Sequence, residues 1–236
     1  MSRAIILLIF TLLSAMYSIV AIYFGTSTTI IHSINRLPLI FSPIPITYSL
    51  LIVVYIGLIY FCVKAIKQPL SLIQVLLFIV NALLQIVAVY YFYNDMSMLA
   101  LLALVMQVIG LFVMYITFPL TKQQLLTRLP IAAWYSWTVY FTLIAFNYNM
   151  IIYEWNGFNL TDALWAVILL TIGAAFALHL RYHYYDRLAP TLFIIGYAGI
   201  ILNNGFNQLF VSSAALFLMG VMIVGIFFIK KKKALT

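Results

Sequence analysis

The groups in this chain that could do chemistry are uncharged polar side chains standing inside long apolar runs. Gln74, Asn81 and Gln85 are spaced seven and four apart, which puts them on one face of a helix. Gln107 sits in the middle of the next run, and Ser136, Tyr140 and Asn147 share a face of a later one. On roughly the opposite side of that later run, Trp134, Trp137, Phe141 and Tyr148 make an aromatic stripe. Amides in hydrocarbon need partners, so these faces turn inward. They can serve as glue between helices, or as the few polar anchors of an apolar cavity. For Trp134 and Trp137 an interfacial aromatic belt is a further reading.

Other chemistry finds little support. His179 and His183 are four apart with Asp186 close behind, a spacing that could hold a metal or haem. Among Arg181, Tyr182, Tyr184 and Tyr185 at the end of an apolar run, they read better as interfacial residues. No lysine stands in the interior of a run, so a retinal Schiff base is excluded. Gly-rich phosphate loops, nucleophile elbows and paired carboxylates within the apolar runs are all missing, and Asp162 lies only at a run's end. The expectation is a protein that is not an enzyme, with no catalytic residue, no metal and no cofactor.

The elements that position these groups follow from composition. Two thirds of the 236 residues are apolar, 7% are charged and the mean hydropathy is +1.16, so the solvent of this chain is mostly lipid. Eight runs near 4–24, 47–67, 72–93, 97–117, 130–153, 161–180, 188–203 and 207–229 are expected to be long enough to cross roughly 30 Å of hydrocarbon. The expected fold class is all-α, a polytopic transmembrane helical bundle forming a single integral membrane domain over 1–236. Arg3 precedes the first run as in a signal peptide, but that run is longer than a usual signal core and is kept as a helix. The lone Cys62 lies inside a run and forms no internal disulfide.

Charge orients the bundle. If the runs alternate, Arg3, Lys64, Lys67, Lys122, Arg128, Arg181, Arg187 and Lys230 to Lys233 fall on one side. Only Arg36 falls on the other, with Asp95, Glu154 and Asp162. The positive-inside rule then makes both termini cytoplasmic. The net charge of +8 is spent at span ends and leaves no basic face for nucleic acid.

Two connections stand out. His32 to Ile46 carries three prolines among large apolar residues and reads as an interfacial connector or as a lid over a cavity. Trp155, Asn156, Gly157 and Phe158 read as a structural corner, with Gly157 at positive φ and Thr161 capping the next helix. Compared by depth, Asn81, Gln85, Tyr140 and Asn147 run from mid-membrane into the outer half, and Gln107 lies near the middle. If they converge, a ligand would meet these amides, the Tyr140 hydroxyl and Trp137.

Pro130, Ser136-Trp137, the run from Trp155 to Phe158, and Trp165 together resemble the TspO/MBR-related, tryptophan-rich sensory membrane proteins. The likeness is to their longer bacterial branch of about eight spans, and Phe41, Pro43, Ser49, Tyr55 and Gly57 extend it upstream. There are departures: Leu51 and Ile52 stand where tryptophan and glycine are expected, Ser136 replaces a glycine, and Ala145 stands for an asparagine. The resemblance implies a multi-pass protein of a bacterial cell membrane that binds, senses or moves a small hydrophobic, tetrapyrrole- or lipid-like ligand. The alternative is a non-catalytic accessory subunit or homo-oligomer, which would pack on a partner through small residues such as Gly173, Ala174 and Ala175.

Overall fold

Eight helices account for the apolar runs in the computed structural model, which describes residues 2–24, 34, 37, 39–68, 70–118 and 122–229. His32, Arg36, Pro38 and the Lys230 to Lys233 run lie outside the described residues. Helix α1 spans Ser2–Ile19 and continues in a wider π-helical turn, Val20–Phe24. A 3-10 turn, Pro45–Ser49, leads into α2, Leu50–Lys67. Then follow α3 (Leu72–Tyr93), α4 (Ser97–Ile116), α5 (Lys122–Ile152), α6 (Asp162–Tyr184), α7 (Leu188–Asn204) and α8 (Leu209–Phe228). No strand occurs among the described residues, so the protein is all-α as its composition requires.

Seven of these segments are long and apolar enough to cross a membrane. The exception is α7, whose 17 residues give about 25 Å of helix. The other departure from the expected spans is at α5, which begins at Lys122 and carries Pro130 inside it. Proline lacks the N–H that would bond one turn back, so it interrupts the ladder without forcing the helix to begin there. Its ring lies against Gly57 of α2, where only a hydrogen replaces a side chain.

Burial separates α5 from every other span. In its most apolar window 72% of residues are buried, against 22% to 44% in the remaining six spans. Enclosure by protein is what lets this helix carry Ser, Asn, Tyr and Trp at a mean hydropathy of only 1.3. The lipid-facing α8, at 22%, has a hydropathy of 2.4.

The chain gathers into two compact units, Met1–Ser33 with Leu50–Thr142, and Ile34–Ser49 with Leu143–Thr236. In the first, α1 packs on α2 and α3, and α3 on α4. The Tyr55 hydroxyl of α2 lies 2.9 Å from both Ser14 and Ser18 of α1, and Thr11 meets Cys62 at 3.4 Å. Helix α3 opens with a capping box: Ser71 Oγ accepts from Gln74 N, and Gln74 Oε1 accepts from Ser71 N.

In the second unit, α6, α7 and α8 pack on one another. The Tyr197 hydroxyl of α7 donates to the Leu170 carbonyl of α6, and Tyr197 and Phe193 close over Gly173. Gly173 and Ala174 are therefore consumed inside the fold, while Ala175 is exposed. Arg181 is only 3% exposed, and its guanidinium donates to the carbonyls of Gly225, Ile226 and Ile229 at the end of α8. A cation there answers the negative end of the helix as well as its last carbonyls. The described part of the proline-rich connection is fastened to α7: Ile44 N donates to Gly199 O at 3.1 Å, while Asn203 and Asn204 donate to Ser42 O and Ile40 O. This stretch is a tied connector.

Candidate functional site

The amides of α3 and α4 meet across the antiparallel pair that these two helices form in the first unit. Gln107 Nε2 donates to Gln85 Oε1 at 3.0 Å and to the Asn81 backbone carbonyl at 3.3 Å. Asn81 Nδ2 bonds back to Leu77 O at 2.7 Å, and its Oδ1 lies against Gly110 of α4. Gly110 makes room for it, since a Cβ there would come within 2.6 Å of Asn81 Oδ1. One end of the same face is closed by Gln74, whose Nε2 reaches Thr117 at 3.4 Å. Gln74 and Gln85 are thus helix-to-helix contacts. Asn81 Oδ1 and Gln107 Oε1 are different, because both are buried and neither has a donor.

Helix α5 supplies the facing wall. Its Trp134 ring packs on Phe78 of α3 at 5.4 Å, and its Phe141 ring on Phe92 of α3 at 6.1 Å. Both pairs advance together along the chain, so within this unit α3 and α5 run in the same sense. Asn81 and Gln85 on α3, and Thr138 on α5, lie between those two aromatic contacts in sequence. On α5, Trp134 Nε1, Ser136 Oγ and Thr138 Oγ1 are buried without partners. Trp137 stacks on Phe141 at 6.4 Å and leans on Tyr140 at 6.1 Å. Tyr135 turns toward α4, against Tyr115 and Phe112, and Arg128 lies 3.7 Å over the Tyr115 ring.

Trp134 and Trp137 are 2% and 4% exposed, so they belong to the interior and the aromatic-belt reading is overturned. The cause is the enclosure of α5 on nearly every side. Asn147 is buried as well, with an unpartnered Oδ1, on the part of α5 that belongs to the second unit. Thr138 and Gly110 escaped the sequence reading. Their signals were present: Thr138 is one turn beyond Trp134, and Gly110 is one turn beyond Gln107.

Trp155, Asn156, Gly157 and Trp165 sit together at the α5–α6 corner in the second unit. Trp165 Nε1 donates to Gly157 O at 2.9 Å, and the Trp155 and Trp165 rings lie 5.2 Å apart. Asn156 Oδ1 accepts from Phe158 N, and Thr161 Oγ1 accepts from Leu164 N. Elsewhere, the His179 and His183 rings are 4.4 Å apart on an exposed face, and Asp186 Oδ1 accepts from Leu188 N. Among the described residues no group of three His, Cys, Asp or Glu side chains could hold a metal.

Within the first unit, α3 and α4 therefore leave two carbonyl acceptors, and α5 an indole donor and two hydroxyls, all neutral and buried, with aromatic rings nearby. Such groups orient a molecule but do not move protons at neutral pH. No curated protein and no solved structure matches this chain. The model of one family, described as TSPO-like protein, matches residues 3–228. That match covers nearly every helix described above, and the chain belongs to the TSPO-like family of membrane proteins.

Proposed function

We propose that this protein binds a small, largely apolar molecule in the amide layer of its first unit, and senses or moves it without altering it chemically. The observation that carries this reading is the set of buried polar atoms left without partners: Asn81 Oδ1, Gln107 Oε1, Trp134 Nε1, Ser136 Oγ and Thr138 Oγ1. Leaving a buried donor or acceptor unmade costs about 1–3 kcal/mol for each group. A bound molecule that completes those bonds recovers that free energy, which simple helix glue would not leave unspent. The surrounding rings of Phe78, Trp134, Phe92 and Phe141 suit an apolar, tetrapyrrole- or lipid-like body. Membership of the TSPO-like family and the resemblance to its longer bacterial branch favour the plasma membrane of a bacterium.

An accessory role through Gly173 and Ala174 is less well supported, since Tyr197 and Phe193 already occupy that face. Native mass spectrometry of protein purified from its own membranes in mild detergent tests the proposal. The expected spectrum carries one small-molecule adduct in near-stoichiometric amount. A bare polypeptide, or a constant second polypeptide, would contradict it.

A further inference from the structure

The pattern of unpartnered atoms narrows the chemistry of the ligand. Asn81 and Gln107 offer carbonyl oxygens, which must receive an O–H or N–H. Trp134 offers only an indole N–H, which needs a lone pair, and the Thr138 hydroxyl can give or receive. A single hydroxyl has the capacity for both kinds of partner, because it donates once and accepts twice. The neighbouring rings favour a flat partner: Phe78 packs on Trp134, Phe92 on Phe141, and Trp137 stacks on Phe141.

Charge is disfavoured from both sides. The chain has four acidic residues, of which Asp95, Glu154 and Asp162 are exposed at helix ends and Asp186 lies in the second unit, between α6 and α7. A cationic head would be buried without a counter-charge, which is costly. A carboxylate would set its own charge against Asn81 and Gln107 oxygens that cannot donate to it.

Resting on the ligand-binding reading above, we propose that the layer recognises an uncharged phenolic hydroxyl on a flat apolar ring, the chemistry shared by free phenols and membrane quinols. The hydroxyl proton goes to Asn81 Oδ1 or Gln107 Oε1, and its oxygen accepts from Trp134 Nε1 or Thr138 Oγ1. An oxidised, quinone-type ring keeps the acceptor and loses the donor, so it binds more weakly than the reduced form. These unpartnered atoms are closed to solvent.

The test uses the full chain in lipid nanodiscs, with 2-naphthol, 2-methoxynaphthalene and 2-naphthoate as probes and empty nanodiscs as the partition control. Saturable quenching of tryptophan fluorescence reports binding. The expected order is 2-naphthol first, with the ether and the carboxylate each weaker by about tenfold or more, the loss of roughly one hydrogen bond to a buried acceptor. Asn81→Leu is expected to reduce the preference for the naphthol over its ether, and Asn81→Leu with Gln107→Leu to abolish it. Trp134→Phe keeps the ring and is expected to weaken the naphthol and its ether alike, since both oxygens accept from the indole N–H; Thr138→Val serves if that variant fails to fold. Equal binding of naphthol and ether to the unaltered protein, or tighter binding of the carboxylate, would overturn the phenolic class. No naphthol binding by a protein that carries some other small molecule from its own membrane overturns this inference and leaves the ligand-binding reading standing. No naphthol binding and no carried molecule removes both.

Discussion

At the residue scale, two side chains carry more weight than their type suggests. Asn81 keeps its orientation because Gly110 lies against it and because Leu77 O holds its amide nitrogen. Gly110→Ala places a methyl group within 2.6 Å of that oxygen and forces the side chain out of its rotamer. Overpacking of this kind costs about 1–3 kcal/mol, so the thermal midpoint in detergent should fall while the helical circular dichroism stays the same. An unchanged midpoint would mean that Asn81 adapts freely and is not held. Arg181 is the second case, a buried cation spent on the last carbonyls of α8. Arg181→Leu removes the charged donor from those carbonyls, and hydrogen bonds to a charged group contribute about 1.5–3 kcal/mol each. Backbone amides near the end of α8 should then exchange faster with deuterium than those of α3, with little change in the first unit. Uniform protection across both would show that the Arg181 contacts are dispensable.

At the scale of elements, the corner between α5 and α6 tests how a local sequence commits the chain. Gly157 has φ +55°, and a Cβ there would meet Trp165 Nε1 at 2.5 Å. Phe158 and Asn159 follow at φ 57° and 61°, so the backbone turns left-handed for three residues. Gly157→Val combines a disfavoured backbone with a clash, and the strain alone is about 1–3 kcal/mol. The yield of folded protein should fall markedly; normal stability would refute a structural role for the corner. This turn was legible because Asn-Gly favours positive φ and Thr161 is a strong cap. Seven of the spans were legible for a similar reason, as hydrophobic length is read directly against bilayer thickness. The start of α5 was not, because Pro130 suggests a boundary and only the Gly57 contact reveals that its ring is accommodated. Nor was the pairing of Gln85 with Gln107, which depends on the register of α3 against α4. Periodicity gives the face of a helix and leaves its neighbour open.

At the scale of the whole molecule, eleven of the twelve basic residues fall on one side if the spans alternate, and the proposed orientation follows from them. In a Cys62→Ala background, a single cysteine replacing Asn156 or Asn204 should react with an impermeant thiol reagent outside intact cells. One replacing Lys122 should react only after permeabilisation, and the reverse pattern would invert the topology. The enclosure of α5 then gives the protein its character: a polar, aromatic helix that only a surrounding fold can hold in lipid. The central claim is that the unpartnered groups of the first unit exist for a ligand and not for packing. Asn81→Leu separates these directly, since it removes an unpaired oxygen and keeps the side-chain volume. The decisive measurement is the native mass spectrum of Asn81→Leu beside that of the unaltered protein, both purified alike and both shown to be folded. The predicted result is a small-molecule adduct on the unaltered chain that is lost or sharply reduced in the variant. An adduct retained equally by both, or absent from both, would contradict the account.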